Sequence, residues 1–218
     1  MPKAPTQRIA ILLYPGFTAL DAVGPYEMLS RIPGTETVLV AERPGPVAND
    51  NRGFALVARA GLDEVSRPAV VLVPGGRDVS GQLRPGPVLE WLREADRHST
   101  WTTSVCTGSL ILGAAGLLAG RRATSHWLYR EDLSRYGAVP TRERVVTDGK
   151  YMTAAGVSAG IDMGLTLAGL LAGDRTAQEI QLVAEYDPHP PYDAGSPEKA
   201  PAGLVARWRA AKPPLPPV

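Results

Sequence analysis

Trp101-Thr102-Thr103-Ser104-Val105-Cys106-Thr107-Gly108 is the stretch that decides the fold. Its first five residues form a run of strand length that ends in Val, and residues 109–118 are rich in Ala and Leu and predict a helix that ends near Gly120. Between the two lies a Cys. A strand that turns sharply into a helix at a nucleophilic side chain is the geometry of a nucleophile elbow, whose strained bend exposes that side chain.

The same alternation of strands and helices continues on both sides of this stretch. Strands are predicted at 8–14, 37–41 and 69–73, an antiparallel edge element at 54–58, and a hairpin around Asp148-Gly149. Helices are predicted at 18–31, with a kink at Gly24-Pro25, and at 87–98, 127–136, 158–172 and 176–186. This order predicts an α/β fold, a mostly parallel sheet with helices on both faces.

Composition narrows the class of protein. The chain has 218 residues, 23 basic and 22 acidic side chains, and one Cys. A net charge of +1 gives no general basis for binding nucleic acid, which needs clustered Lys and Arg. A lone Cys excludes an intramolecular disulfide and any C-x-x-C metal or dithiol motif. Neither a signal peptide nor a run of about 18 apolar residues is present, so we expect a cytoplasmic protein without membrane contact.

Three segments divide the chain. Residues 1–7 are a polar N-terminal extension, and residues 8–187 carry the α/β pattern. Residues 188–218 hold nine of the 21 prolines and are predicted to be a tail that packs on the domain or on a dimer partner. Within the tail, residues 202–211 have the composition of a short helix.

Three loops are predicted to meet at one edge of the sheet, because ligands of parallel α/β sheets bind at the carboxyl ends of the strands. They are Tyr14-Pro15-Gly16 with Asp21 behind it, Pro74-Gly75-Gly76, and the turn at Cys106. The N–H groups at the start of a helix favour a thiolate over a thiol. The alternative is that Cys106 is a small buried hydrophobic residue, a common fate of free Cys. The elbow and the two neighbouring loops favour the functional interpretation.

Several motifs together resemble the DJ-1/PfpI superfamily. The matching segments are Tyr14-Pro15-Gly16-Phe17, Leu20-Asp21-Ala22-Val23-Gly24-Pro25, Val73-Pro74-Gly75-Gly76, Ser104-Val105-Cys106-Thr107-Gly108, residues 112–118, Ala123-Thr124-Ser125-His126-Trp127 and residues 190–197. The resemblance covers nearly all of residues 8–200. It implies a flavodoxin-like sheet similar to that of class I glutamine amidotransferases, and a homodimer.

Within the superfamily the chain is most similar to the isocyanide hydratases, which convert isocyanides to N-substituted formamides. The acid of the first loop is Asp21, where members resembling DJ-1 have Glu. Thr107 follows the Cys, where proteases of the PfpI type have His. No DNA-binding extension follows the body, unlike in related transcription factors. The resemblance therefore implies a small isocyanide substrate, with no cofactor and no metal.

The resemblance also implies roles for six residues. Cys106 would attack the isocyanide carbon and form a thioimidate, Asp21 would donate the proton, and Thr107 would orient the water or the substrate. Gly75, Gly76 and His126 are predicted to bind substrate or a developing anion, with the N–H groups of Gly76 and Thr107 as candidate donors. For His126 the sequence leaves open a purely structural role.

Two other functions stay open at this stage. One is a different thiol activity of the superfamily, glyoxalase or deglycase chemistry on α-oxoaldehydes. The other is a non-enzymatic redox sensor or ligand-binding regulator, in which Cys106 is oxidised to a sulfinate.

Overall fold

Strands of a seven-stranded sheet form the centre of the molecule. The computed structural model describes residues 7–217, so the predicted extension at 1–7 lies outside the described residues except for Gln7, which begins the first strand. The strands are β1 (Gln7–Leu12), β2 (Thr35–Ala41), β3 (Gly45–Ala48), β4 (Ala55–Ala58), β5 (Ala60–Gly61), β6 (Val70–Val73), β7 (Trp101–Val105), β8 (Arg122–Ala123), β9 (Val139–Pro140), β10 (Val145–Asp148) and β11 (Tyr151–Ala154).

The strand order of the main sheet is β10-β11-β7-β6-β1-β2-β5, and every neighbouring pair except β10 and β11 is parallel. This confirms the predicted α/β fold with a mostly parallel sheet. The chain steps from β1 outward to β2, then returns to β6 on the other side of β1 and steps the opposite way to β7. Because crossovers are right-handed, the reversal puts the connecting helices on opposite faces. It also opens a crevice at the carboxyl ends of β1 and β6, where such sheets bind ligands.

The helices are α1 (Ala19–Leu29), α2 (Pro87–His98), α3 (Gly108–Ala114), α4 (Ala159–Ala172), α5 (Asp174–Val183) and α6 (Ala202–Ala210). Helix α4 packs on both α1 and α5, and α2 packs on α3. None of the helices within residues 7–217 combines the length and the apolarity needed to cross a bilayer.

Three helix predictions need correction. Gly24-Pro25 does not break α1, which runs through Pro25, and the proline ring lies 3.0 Å from the position of a Cβ on Gly160. The absent side chain on α4 thus makes room for the ring. The third helix ends at Ala114 instead of near Gly120, because Gly116 takes a left-handed conformation at φ +81°. Residues 127–136 form turns and a 3₁₀ segment, Arg130–Tyr136, instead of an α-helix.

The C-terminal tail lies against the domain of the same chain. Lys212 pairs with Asp132 and stands 4.9 Å above the centre of the Tyr129 ring. Arg135 donates a 2.5 Å hydrogen bond to the carbonyl oxygen of Pro216. These contacts fix the segment that follows α6.

Gly108, the first residue of α3, lies against the end of β6. A Cβ at this position would come within 2.1 Å of the carbonyl oxygen of Val73 and 2.9 Å of the backbone of Pro74. Backbone atoms of a central strand cannot move aside without disturbing the sheet. The sharp turn after Cys106 therefore requires a residue without a side chain here.

We expect Gly108→Ala to destabilise the protein by about 3 kcal/mol, the upper range for an overpacked core, and to lower Tm by roughly 5–10 °C. Thermal unfolding followed by circular dichroism measures the change. Gly203→Ala is the matched control, because its Cβ would meet nothing within 4 Å and it lies inside α6, where Ala is favoured over Gly. Equal Tm values for the two variants would contradict the close approach at Gly108.

Candidate active site

Cys106 follows β7 directly and has a left-handed backbone at φ 59°. For a residue with a side chain this conformation costs about 1–3 kcal/mol and persists only where surrounding contacts impose it. Here the N–H of Cys106 donates to the carbonyl oxygens of Ala154 and Ala155 at 3.0 and 2.9 Å. Its carbonyl accepts from the hydroxyls of Ser109 and Ser125 at 3.0 and 2.9 Å. These hydrogen bonds hold both the N–H and the carbonyl of the strained residue in place.

Asp21 reaches the same place from α1. Its Oδ2 accepts a 2.9 Å hydrogen bond from the N–H of Gly75, in the loop after β6. A Cβ on Gly75 would lie 2.6 Å from the nitrogen of Thr107 and 2.9 Å from Oδ2 of Asp21. Only glycine fits between the acid and the turn at Cys106, so Gly75 has a steric role together with its N–H. The structure therefore brings together Asp21, Gly75, Cys106 and Thr107.

The Thr107 hydroxyl joins the elbow to the loop after β6. It accepts from the N–H of Gly76 and donates to the carbonyl of Gly76, both at 2.9 Å. The N–H of Gly76 is therefore occupied and is not the free anion donor that we expected. The amides that stabilise a charge on the sulfur are those of Thr107 and Val157.

The pKa of the Cys106 thiol departs from the sequence expectation. Burial raises it, and the negative charge of Asp21 raises it further, while the amides of Thr107 and Val157 oppose both effects. The side chain is only 5% exposed, so the loss of hydration outweighs the helix N–H groups. Burial therefore opposes the effect that the helix start has on the Cys106 thiol, and favours its protonated form.

Asp21 has the complementary property. Burial raises its pKa from 3.8 to about 7, against the lowering effects of the Gly75 N–H and of a hydrogen bond with Cys106. Its second oxygen, Oδ1, is buried and has no hydrogen-bond partner among residues 7–217. A buried oxygen without a donor disfavours the ionised carboxylate. The acid and the thiol therefore titrate as a coupled pair that holds one or two protons near neutral pH.

A cavity of about 660 Å³, which we call the vestibule, lies beside this pair. It is lined by Leu20, Arg130 and residues 124–127, 142–144, 155–158 and 195–198. The Ser125 hydroxyl bonds the carbonyl of Cys106, and the N–H of Val157 faces its sulfur. Both residues also line the vestibule, which therefore borders the turn that carries Cys106.

His126 stands in the vestibule wall and does not contact Cys106 through any hydrogen bond among the described residues. Its Nδ1 accepts the N–H of Leu128 at 3.3 Å, which places the proton of the neutral ring on Nε2. Burial lowers its pKa below 6.5, so the ring is uncharged at neutral pH. Such a residue can contact a substrate without adding charge to the cavity.

Tyr14 and Val157 also contribute to the site, although the sequence assigned no role to either. The Tyr14 hydroxyl is buried, donates to the carbonyl of Pro74 at 2.9 Å, and has a pKa raised by burial and by the charges of Asp21 and Cys106. Val157 contributes only its backbone N–H, which any residue type has. The sequence placed Tyr14 in a loop of the site but not its hydroxyl contact, and only the fold identifies Val157.

A scan against family models matches residues 7–169 to the DJ-1/PfpI family. The chain belongs to the DJ-1/PfpI family. This confirms the resemblance inferred from the motifs. Among curated DJ-1/PfpI relatives, an isonitrile hydratase of Pseudomonas putida is 44% identical over 94% of this chain and 90% of its own length. A deglycase of Pyrococcus abyssi is 28% identical over 67% of this chain and 89% of its own.

Solved structures agree with the assignment. A ThiJ/PfpI family protein from Pseudomonas syringae superposes with a TM-score of 0.91 at 40% identity, covering 97% of this chain and 89% of its own. The agreement extends beyond the residues of the DJ-1/PfpI family match, because the coverage includes most of the C-terminal tail.

The raised pKa of Asp21 predicts a pH-dependent stability. The folded protein keeps a proton that the unfolded chain releases above its pKa near 3.8, so the stability contributed by this group falls as pH rises from about 4 to 7. Asp21→Asn has no proton to lose. We expect the variant to gain about 2–3 kcal/mol relative to the wild type between pH 5 and pH 8.

Urea unfolding of both proteins at the two pH values measures this difference. Asp187→Asn is the control, since the Asp187 side chain is 87% exposed. If both variants show the same pH dependence relative to the wild type, Asp21 does not have a raised pKa.

Proposed function

We propose that the protein is a cysteine-dependent isocyanide hydratase that needs no cofactor. The observation that carries the proposal is the pairing of a nucleophile-elbow cysteine with a buried acid whose pKa is about 7. The 44% identity to an isonitrile hydratase over nearly the whole chain supports the same reaction.

The shape of the substrate suits a sulfur that is only 5% exposed. In an isocyanide, R–N≡C, the reacting carbon is the terminal atom of a slender linear group. Such an end group needs little clearance at the sulfur, and the substituent R can occupy the vestibule. The carbon also needs both a soft nucleophile and a proton, which Cys106 and Asp21 supply from one place.

The first step joins Cys106 to the isocyanide carbon. In the reactive form of the pair, the shared proton is on Asp21 and the negative charge on the sulfur, held by the N–H groups of Thr107 and Val157. The sulfur forms the C–S bond, and the same carbon takes the proton of Asp21. The products are the thioimidate R–N=CH–S–Cys106 and an ionised Asp21, which the Gly75 N–H stabilises.

The second step releases the formamide. The Asp21 carboxylate accepts a proton from water as the water oxygen bonds to the thioimidate carbon, and that proton passes to the nitrogen. The C–S bond then breaks, the hydroxyl proton moves to Asp21, and R–NH–CHO leaves. Cys106 and Asp21 return to their starting charges. The Thr107 hydroxyl holds the Gly76 loop during both steps.

The two alternatives fit the site less well. Oxidation to a sulfinate favours an exposed thiolate, whereas Cys106 is buried with a raised pKa. A deglycase of the same family is 28% identical, and an α-oxoaldehyde presents a carbonyl carbon flanked by substituents instead of a terminal atom. Methylglyoxal is therefore the comparison substrate in the assay below.

A homodimer is part of the proposal. Leu20, Val23 and Tyr26 lie three residues apart on α1 and are 42, 37 and 36% exposed. Such a row of apolar side chains is suited to a partner subunit. Since Leu20 also lines the vestibule, a partner on this face would lie close to the substrate entrance.

We expect Cys106→Ser to abolish hydration of para-nitrophenyl isocyanide, because a buried hydroxyl is a far weaker nucleophile than a thiolate. Asp21→Asn is expected to lower kcat by about 10²–10⁴-fold, the usual contribution of a general acid. Proton NMR of the formyl group of the product measures both rates.

Asp187→Asn, on an exposed loop residue, is expected to keep wild-type activity. Unfolding curves check that the two site variants remain folded. Wild-type turnover of methylglyoxal but not of the isocyanide would overturn the assignment in favour of the alternative thiol activity.

The coupled pair also predicts the pH profile of the reaction. Below pH 7 both groups hold protons, so the sulfur cannot carry a charge, and kcat/KM rises as the first proton leaves with an apparent pKa of about 7. The second proton leaves at much higher pH, because burial raises the thiol pKa. We expect kcat/KM of the wild type to rise with pH around pH 7 and then to reach a plateau. The residual activity of Asp21→Asn is expected to lack this rise. A wild-type profile that is flat from pH 5 to 8 would contradict the pairing.

A further inference from the structure

A second cavity of about 290 Å³ adjoins the vestibule. We call it the tail pocket, because most of its lining comes from the C-terminal tail. Its main apolar side chains are Trp127, Leu128, Pro197, Leu204, Val205 and Trp208. Its volume is at the lower end of the roughly 300–1,000 Å³ of ligand sites in proteins.

The two cavities share a wall. His126, Trp127 and residues 195–197 line both of them. Residue 126 follows Ser125, whose hydroxyl bonds the carbonyl of Cys106 at 2.9 Å. The wall shared by the two cavities therefore begins next to a residue that is bonded to the backbone of Cys106, and a molecule that occupies both cavities passes along it.

The linings of the cavities differ in charge. The vestibule is bordered by Arg130, Arg142, Glu143, Arg144 and Glu198. The residues that line the tail pocket include no Asp, Glu, Lys or Arg, and their one titratable side chain is the neutral His126. This chemistry suits an uncharged organic group such as an aromatic ring or a branched alkyl chain.

Ion pairs of the tail flank α6 on both sides, and the second of them joins the tail to the domain. Lys199 pairs with Asp193 at 2.7 Å on the side before α6, and Lys212 pairs with Asp132 on the side after it. Leu204 and Trp208, on successive turns of α6, nevertheless remain 47 and 53% exposed. Their apolar surface is available to a ligand because protein atoms cover only half of it.

We propose that the tail pocket binds the substituent R of the isocyanide and that Leu204 and Trp208 determine which isocyanides the enzyme accepts. The inference rests on the proposed function and adds to it the class of substrate, isocyanides with an uncharged, bulky apolar substituent. A small linear isocyanide would react at Cys106 without entering the tail pocket.

The test compares kcat/KM for para-nitrophenyl isocyanide and for methyl isocyanide. Trp208→Ala removes part of the wall, and Leu204→Trp fills the pocket. We expect each to lower kcat/KM for the aromatic substrate by about tenfold and to leave the value for methyl isocyanide within twofold, as for a pocket that gains or loses a few methylene contacts. Leu182→Ala, an 80% exposed side chain on α5, is the control and should change neither value.

Direct binding of the product para-nitroformanilide, measured by calorimetry, gives a second readout that does not depend on turnover. The same two variants are expected to weaken its Kd about tenfold, with unfolding curves as a check on folding. Equal losses of kcat/KM for both substrates, or an unchanged Kd for the product, would overturn the subsite. A Trp208→Ala variant that changes only the oligomeric mass of the protein counts as the same outcome. If the wild type hydrates neither isocyanide, the proposed function fails, and the calorimetry alone decides whether the tail pocket binds an apolar substituent.

Discussion

The left-handed peptide of Cys106 is the constraint on which the site depends. A non-glycine residue at φ 59° is strained, yet this one lies between a central strand and a helix that both pack in the core. The N–H of Cys106 donates to two carbonyl oxygens, and its carbonyl accepts from two hydroxyls. Relaxation to an ordinary conformation would break these contacts and turn the sulfur away from Asp21. Folding of the whole sheet thus maintains a conformation that Cys106 would not adopt alone.

The same packing sets the charge of the site. Removing water raises the pKa of both Asp21 and Cys106, and each negative charge opposes the other. The N–H groups of Gly75, Thr107 and Val157 offset part of that cost and favour a negative charge on the pair. One charge and one mobile proton are what an addition to an isocyanide carbon uses. In the proposed mechanism burial is compatible with catalysis, because the acid and the nucleophile exchange a proton with each other instead of with solvent.

The sequence predicted the sheet and the meeting of three loops, because apolar strand runs and Gly-Pro turns are local signals. It also pointed to Asp21, Gly75 and Thr107, which the structure brings to Cys106. It could not give the thiol pKa, since the hydration lost at Cys106 depends on atoms distant in sequence. For the same reason, the sequence did not show that the Gly76 N–H donates to the Thr107 hydroxyl. Their catalytic roles stay predictions until the variants are measured.

The tail relates to the site in two separate ways. Residues 213–215 line a small cavity together with Gly76 and Thr107, whereas residues within 194–208 border the tail pocket. The groups proposed to react all fall within the segment that matches the DJ-1/PfpI family, residues 7–169, and the wall of the tail pocket falls mostly beyond it. Bond making demands fixed distances among Cys106, Asp21 and their amide donors, but an apolar wall need only match the size of a substituent. Side chains of α6 can therefore change which substrate fits without moving the atoms that react with it.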